Sequence, residues 1–168
     1  MKRPPDSLVP TNINAERTIL GSILLECSCA ERPEWIKQWN IATALDPDDF
    51  MLDSHRRIFL RMDDLIEAGS QVDIVTLSEE LAKHKEVEII GGVAYLSSLT
   101  EGLPRRPRIL DYVKIVKAKS LKRKLIFACS AALESASDGT PGLEVIEKLK
   151  EQIAEIEASA RRGIRHAK

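Results

Sequence analysis

The stretch Leu45–Leu77, LDPDDFMLDSHRRIFLRMDDLIEAGSQVDIVTL, sets three helix punctuation signals around one amphipathic run. Asp46 offers an acceptor to free backbone N–H groups, and Pro47 stands at a first helical position, where its missing N–H costs nothing. A short turn starts there and carries Phe50 into a core. Asp53 or Ser54 then caps a longer helix with Ile58, Met62, Leu65 and Ile66 on one face, and Gly69 ends it in the left-handed conformation. Thr76-Leu77-Ser78-Glu79 has the capping-box pattern, hydroxyl bonding forward and carboxylate back, so another helix begins near Leu77.

Working outward, Pro4, Pro5 and Pro10 keep residues 1–13 out of a helix, and Asn12 or Asn14 caps the first helical segment. That helix, near Ala15–Leu25, carries Ala15, Ile19, Leu20, Ile23 and Leu24 at helical spacing. A loop with Cys27, Cys29 and Pro33 leads to a short segment whose Trp35, Ile36 and Trp39 cover the core. Gly91-Gly92 breaks the chain before a helix at Val93–Leu99, and Gly102, Pro104 and Pro107 close the head. From Arg108 to Ser137 there is no Pro or Gly. Ile109, Val113, Val116, Leu121, Leu125, Ala128 and Ala132 recur there in steps that read as a heptad seam. Pro141 to Arg162 repeats the pattern with Ile146, Leu149, Ile153, Ile156 and Ala160, and the Asp138–Gly142 turn between them is short enough to force an antiparallel return. The expected fold is all-α: a lead (1–13), a globular head of short helices (14–103), a helical hairpin (104–162) and a basic tail (163–168). Arms of ~30–45 Å, at ~1.5 Å per residue, outreach a compact head, so part of the seam meets another chain. The alternative folds the hairpin back onto its own head.

Composition agrees. With aromatics at only 4% of 168 residues, the core is built from Leu, Ile, Val and Ala, which suits packed helices. Cys27, Cys29 and Cys129 fit no disulfide framework and favour a reducing cytosol. A zinc reading of Cys27 and Cys29 lacks two further ligands, and His55, His84 and His166 show no metal spacing. There is neither a signal-peptide h-region nor a span-length apolar run, so the expected location is cytoplasmic, with no membrane partner.

The sequence offers no catalytic constellation. His55, beside Asp53 and Arg56, reads as a partly buried histidine bonding locally at a helix start, in preference to a general base. The pairs Asp48-Asp49, Asp63-Asp64 and Glu79-Glu80 diverge on a helix and read as solvated surface. Charge is segregated: residues 44–101 hold thirteen acids and five bases, residues 102–168 fifteen bases and eight acids. Arg105, Arg106, Arg108, Lys122, Arg123 and Lys124 are therefore candidate phosphate contacts. The competing reading pairs this basic stretch with the acidic heads of neighbouring subunits. Any contact with DNA is then weak or indirect.

Three collinear blocks also resemble the N-terminal domain of DnaB-type replicative DNA helicases. They are PTNINAERTILGSIL (Pro10–Leu24); Asp49-Phe50 with His55-Arg56-Arg57-Ile58-Phe59 and Val72–Leu77; and Gly91–Leu96 followed by Tyr112–Val116 and Arg123–Ile126. The resemblance implies a hexameric collar, subunit contacts through the hairpin, and docking of a primase or helicase loader during replication at the primosome. It carries over to the hairpin positions Tyr112, Val116, Arg123, Leu125 and Ile126. The spacing itself nominates Leu121, Leu125, Ile146, Leu149 and Ile153 for the seam. The family's motor domain carries a P-loop, and no GxxxxGK[ST] string occurs among these residues. The chain alone is expected to hold no cofactor and to catalyse neither ATP hydrolysis nor unwinding. Two other readings stay open: a portion of an active helicase whose ATPase domain lies on a longer or separate chain, and a freestanding nucleic-acid binder.

Overall fold

The computed structural model describes residues 9–29, 32–105 and 107–165. These form seven α-helices and no strand: α1 (Ile13–Cys29), α2 (Arg32–Ala42), α3 (Asp53–Glu67), α4 (Ile74–Lys83), α5 (Gly92–Leu99), α6 (Ile109–Ser137) and α7 (Gly142–Arg165). A 3-10 turn, Pro47–Asp49, precedes α3.

Helix α1 is the central post, packed against α2, α3, α5 and α6. Asn12 starts it, its Oδ1 accepting from the Ala15 N–H at 3.0 Å. Ala15, Ile19, Leu20, Ile23 and Leu24 are all buried, meeting Ile58, Met62, Leu77, Leu81, Leu96 and Leu99 from the surrounding helices. Phe59 joins two aromatic pairs that close one end of the core, with Trp39 at 5.1 Å and Phe50 at 5.0 Å between ring centroids. The α1–α5 approach is so close that a methyl on Gly21 would lie 2.1 Å from the Leu99 carbonyl oxygen.

Several boundaries differ from those expected. Helix α1 continues through Cys27 and Cys29 at the backbone level, where a loop was expected; the side chains of residues 27–36, including Trp35 and Ile36, lie outside the described residues. Leu52, neither Asp53 nor Ser54, is the N-cap of α3 and, being aliphatic, lends it no side-chain cap, while Asp53 lies inside the helix and pairs with Arg57 at 2.7 Å. Helix α4 begins three residues before Leu77. The Asp73 carboxylate accepts from the Val75 and Thr76 N–H groups, and the Thr76 hydroxyl accepts in turn from the Asp73 N–H. Thr76 thus sits at the third position of a capping box, where the sequence pattern suggests the first. Gly69 ends α3 as expected: at φ 70° it lets its own N–H reach Ile66 O and the Ser70 N–H reach Leu65 O, a Schellman closure.

The larger difference concerns the hairpin. Helix α6 begins inside the head, where Ile109, Val113 and Val116 are part of the core, so the prolines before it mark a turn and not the edge of the packed body. The second half of α6, from Lys124 to Ser135, faces Val145–Ser159 of α7. The Asp138 carboxylate secures the turn between them, accepting from the Thr140 N–H and hydroxyl, bonds that hold its pKa below the ordinary value.

Gly21→Ala is expected to cost about 1–3 kcal/mol, because the methyl must push backbone against backbone. Urea denaturation followed by circular dichroism measures it, and an unchanged midpoint contradicts the packing described.

Candidate interaction surface and its polar anchor

Where α6 crosses the head, the packing turns polar. Asp49 is fully buried, and its carboxylate is saturated from three directions. One oxygen accepts from the Ser120 hydroxyl at 2.6 Å and the Lys124 ammonium at 3.0 Å. The other accepts from the Lys117 ammonium at 2.6 Å and the Asp46 N–H at 2.9 Å. Lys117, Ser120 and Lys124 lie on one face of α6 at helical spacing, which brings all three to one carboxylate. Burial alone would raise the Asp49 pKa, but the hydrogen bonds from Lys117, Ser120 and Asp46 and the charge on Lys117 outweigh it and hold the carboxyl below the ordinary aspartate value. Arg123 completes the joint, donating to the backbone carbonyls of Asp49 and Pro10. Helix α7 reaches the same place through Ser159, whose hydroxyl meets Lys124 at 3.3 Å and Asp46 at 3.2 Å.

These contacts correct two expectations. Asp49 is not solvated surface. Arg123 and Lys124 are not free for phosphate, because the joint consumes both. Of the remaining basic candidates, Lys122, Arg105 and Arg108 are exposed, Arg108 near Asp111 at 3.8 Å, and Arg106 lies outside the described residues.

His55 also departs from its reading. It is fully buried and bonds across the fold: Nδ1 lies 2.8 Å from a Glu16 carboxylate oxygen and Nε2 2.8 Å from the Tyr95 hydroxyl. The other Glu16 oxygen accepts from the Met51 N–H at 2.9 Å. Because a carboxylate only accepts, Nδ1–H donates to Glu16, and Nε2 pairs with the Tyr95 hydroxyl. Glu16 and His55, each at most 1% exposed, tie α1 to α3 and α5, out of reach of any substrate. Glu86 works similarly, contacting Arg57 at 2.8 Å and Arg61 at 3.0 Å. Asp64, Glu80 and His84 bring one ligand atom each within 4.8 Å of one another. Arg61 and Lys83 already pair with those two carboxylates.

The seam residues divide. Val116 is buried in the head and Tyr112 packs half-buried against its core, so Val116 cannot face a partner. Leu149 lines the space between the arms with Ala131, Ala132, Ser135 and Val145. The other four stay open: Leu121 at 39%, Leu125 at 47%, Ile146 at 49% and Ile153 at 37% exposure. At about 100° per residue, Leu121 and Leu125 stand roughly a quarter turn from the α7-facing row Lys124, Ala128 and Ala131. Ile146 and Ile153 stand the same way from Val145, Gln152 and Ile156. Because the arms are antiparallel, equal rotations bring both pairs to one side of the hairpin.

This architecture, a helical head clamped to a long hairpin with Leu121, Leu125, Ile146 and Ile153 exposed, defines an all-α head-and-hairpin domain. Residues 8–118 match the family model of the DnaB-like helicase N-terminal domain. The chain belongs to that family. It is 36% identical over 144 residues to the replicative DNA helicase DnaC of Bacillus subtilis, covering 86% of this chain and 29% of that protein. It is 33% identical over 147 residues to the replicative DNA helicase DnaB of Geobacillus stearothermophilus, covering 88% and 30%. The chain thus spans under a third of the length of these relatives. Its fold superposes on the N-terminal domain of the Mycobacterium tuberculosis DnaB helicase with a TM-score of 0.75 at 27% identity, over 87% of this chain and 98% of that one. A DnaB-like replicative helicase, solved in a study of its interactions with primase, matches with a TM-score of 0.64 at 27% identity, over 88% and 31%. No described helix is long and apolar enough to cross a membrane.

Asp49→Ala is expected to cost about 3–5 kcal/mol, since it strands Lys117 and Lys124 in a partly buried site. The lowered pKa also fixes a sign: the carboxylate's contribution is complete above the unfolded value of about 3.9 and disappears as pH falls through the folded value. Urea midpoints of the parent should therefore fall below about pH 4 more steeply than those of Asp49→Asn. Parallel pH profiles for the two proteins would refute the clamp.

Proposed function

We propose that this domain is a non-catalytic oligomerisation and docking unit of a replicative DNA helicase, acting at the primosome. The observation that carries the reading is the row Leu121, Leu125, Ile146 and Ile153, four large apolar side chains each more than a third exposed on one side of the hairpin. Contiguous exposed apolar surface of this kind marks an association site. A second copy offering the same face satisfies it by self-complementarity, and the hairpins then pack as a bundle. Affinity comes from apolar burial, and the basic stretch against acidic heads selects register. The likeness to a helicase studied with its primase supports primase as a docked partner; a helicase loader would use the same kind of surface.

No P-loop string occurs in the sequence and the His55–Glu16 pair is buried, so we assign ATP hydrolysis to an ATPase domain on a longer or separate chain. That alternative is compatible with the first reading, which the family match supports directly. The freestanding nucleic-acid binder loses ground because Arg123 and Lys124 are spent in the joint.

The double variant Leu125→Asp, Ile153→Asp should elute as a monomer in size-exclusion chromatography with multi-angle scattering, while its far-ultraviolet dichroism and urea midpoint match the parent. Desolvating four carboxylates across a two-fold interface costs several kcal/mol, enough to shift association by more than about a hundredfold. A double variant that keeps the parent's oligomeric mass sinks the assignment of this face.

A further inference from the structure

Helices α3 and α4 meet at a corner of the head that carries three side chains able to ligate a metal. Glu80 and His84 stand one turn apart on α4, His84 as its C-cap, and Asp64 comes from the last turn of α3. One donor atom from each lies within 4.8 Å of the other two. The arrangement has a sheltered floor and an open rim: the Glu80 side chain is 15% exposed, those of Asp64 and His84 45% and 44%. His84 Nε2 and Glu80 Oε1 stand 3.4 Å apart, long for a hydrogen bond. The spacing matches that of two ligands on one ion, since donors about 2.0–2.1 Å from a tetrahedral centre are about 3.3 Å from each other. Each neighbouring cation engages a single carboxylate oxygen. Lys83 meets Glu80 Oε2 and is 69% exposed, so that pair is weak and separates readily. Arg61 meets Asp64 Oδ2 while its Nε faces Glu86 at 3.0 Å.

We propose that Asp64, Glu80 and His84 bind a divalent transition ion of the zinc class, which clips α3 to α4. His84 Nε2, Glu80 Oε1 and Asp64 Oδ1 are the protein ligands, and water completes the shell. An imidazole nitrogen with two carboxylate oxygens suits zinc and its neighbours, whereas magnesium and calcium favour an all-oxygen shell. Two carboxylates and a neutral imidazole also balance the charge of one divalent ion. Drawing the three donors together requires rotation of the exposed Asp64 and His84 side chains, with the backbone in place. The backbone at His84 is well fixed: Lys85 adopts the left-handed conformation at φ 58°, and the Lys85 and Glu86 N–H groups bond back to the Ala82 and Leu81 carbonyls. Histidine spacing gives no hint of this site, because two ligands are carboxylates and one of them comes from a different helix. It lies on the head and is independent of self-association through the hairpin.

Calorimetric titration of zinc chloride near neutral pH tests it on the unaltered protein and on variants checked for unchanged far-ultraviolet dichroism. The parent should bind one equivalent of zinc, and that equivalent should raise its urea midpoint. His84→Ala, Glu80→Gln and Asp64→Asn should each weaken that binding by more than about tenfold, a loss that changes outside the ligand shell already produce at zinc sites. The double variant Cys27→Ser, Cys29→Ser and the single variant His166→Ala should bind like the parent. Absence of zinc binding by the parent overturns the proposal. Parent-like affinity in Asp64→Asn overturns it as well, since α4 alone would then hold the ion. Loss of the equivalent in the cysteine variant reassigns it to thiols and overturns the site, and ready displacement of zinc by equimolar magnesium overturns the ion class.

Discussion

The buried carboxylate of Asp49 is the constraint on which the rest of the molecule turns. A short 3-10 turn in the head offers one anion, and a long helix offers two ammonium groups and a hydroxyl at helical spacing to receive it. Such a cluster is worth little as generic stabilisation, since desolvation opposes the Coulomb attraction. Its effect is geometric. An ion cluster with every lone pair occupied tolerates neither a slip of α6 by one residue nor a rotation about its axis, so the direction in which the hairpin leaves the head is set.

That direction decides which surfaces remain for partners. Helix α6 serves the head core with Ile109, Val113 and Val116, the clamp with Lys117, Ser120 and Lys124, and the second arm with Ala128 and Ala131. The small side chains of that last segment let α7 approach closely. Leu121 and Leu125 belong to none of these faces. Together with Ile146 and Ile153 they form an apolar row that the molecule's own packing leaves uncovered on the hairpin, which is the basis for assigning it to a second copy.

Much of the head was legible from local chemistry. Pro47 after Asp46, Gly69, Gly91-Gly92 and the α1 stripe each act through short-range physics, and they mark the observed turns and buried faces. What failed were inferences about long-range partners. Asp49 looks like one of two adjacent surface acids until Lys117 and Ser120 arrive from far along the chain, and His55 looks locally bonded until Glu16 and Tyr95 close around it. A usable signal did exist for the clamp: Lys117, Ser120 and Lys124 repeat at helical spacing on the face that carries Val113 and Val116, where solvated bases would be out of place. The heptad reading of α6 missed the same fact, treating as one stripe a row of apolar residues that serves three different partners. The capping box failed on an ambiguity of register, since Asp73 and Thr76 both favour the start of a helix and only the Val75 and Thr76 N–H geometry selects Asp73.

The central claim is that the open apolar row on the hairpin is an interface between copies of this chain. Sedimentation equilibrium of the unaltered protein, from about 1 to about 100 micromolar, measures it most directly over the range where an interface of this kind associates. The account predicts a weight-average mass that rises with concentration above that of the single chain. A mass that stays at 18.8 kDa throughout would contradict it.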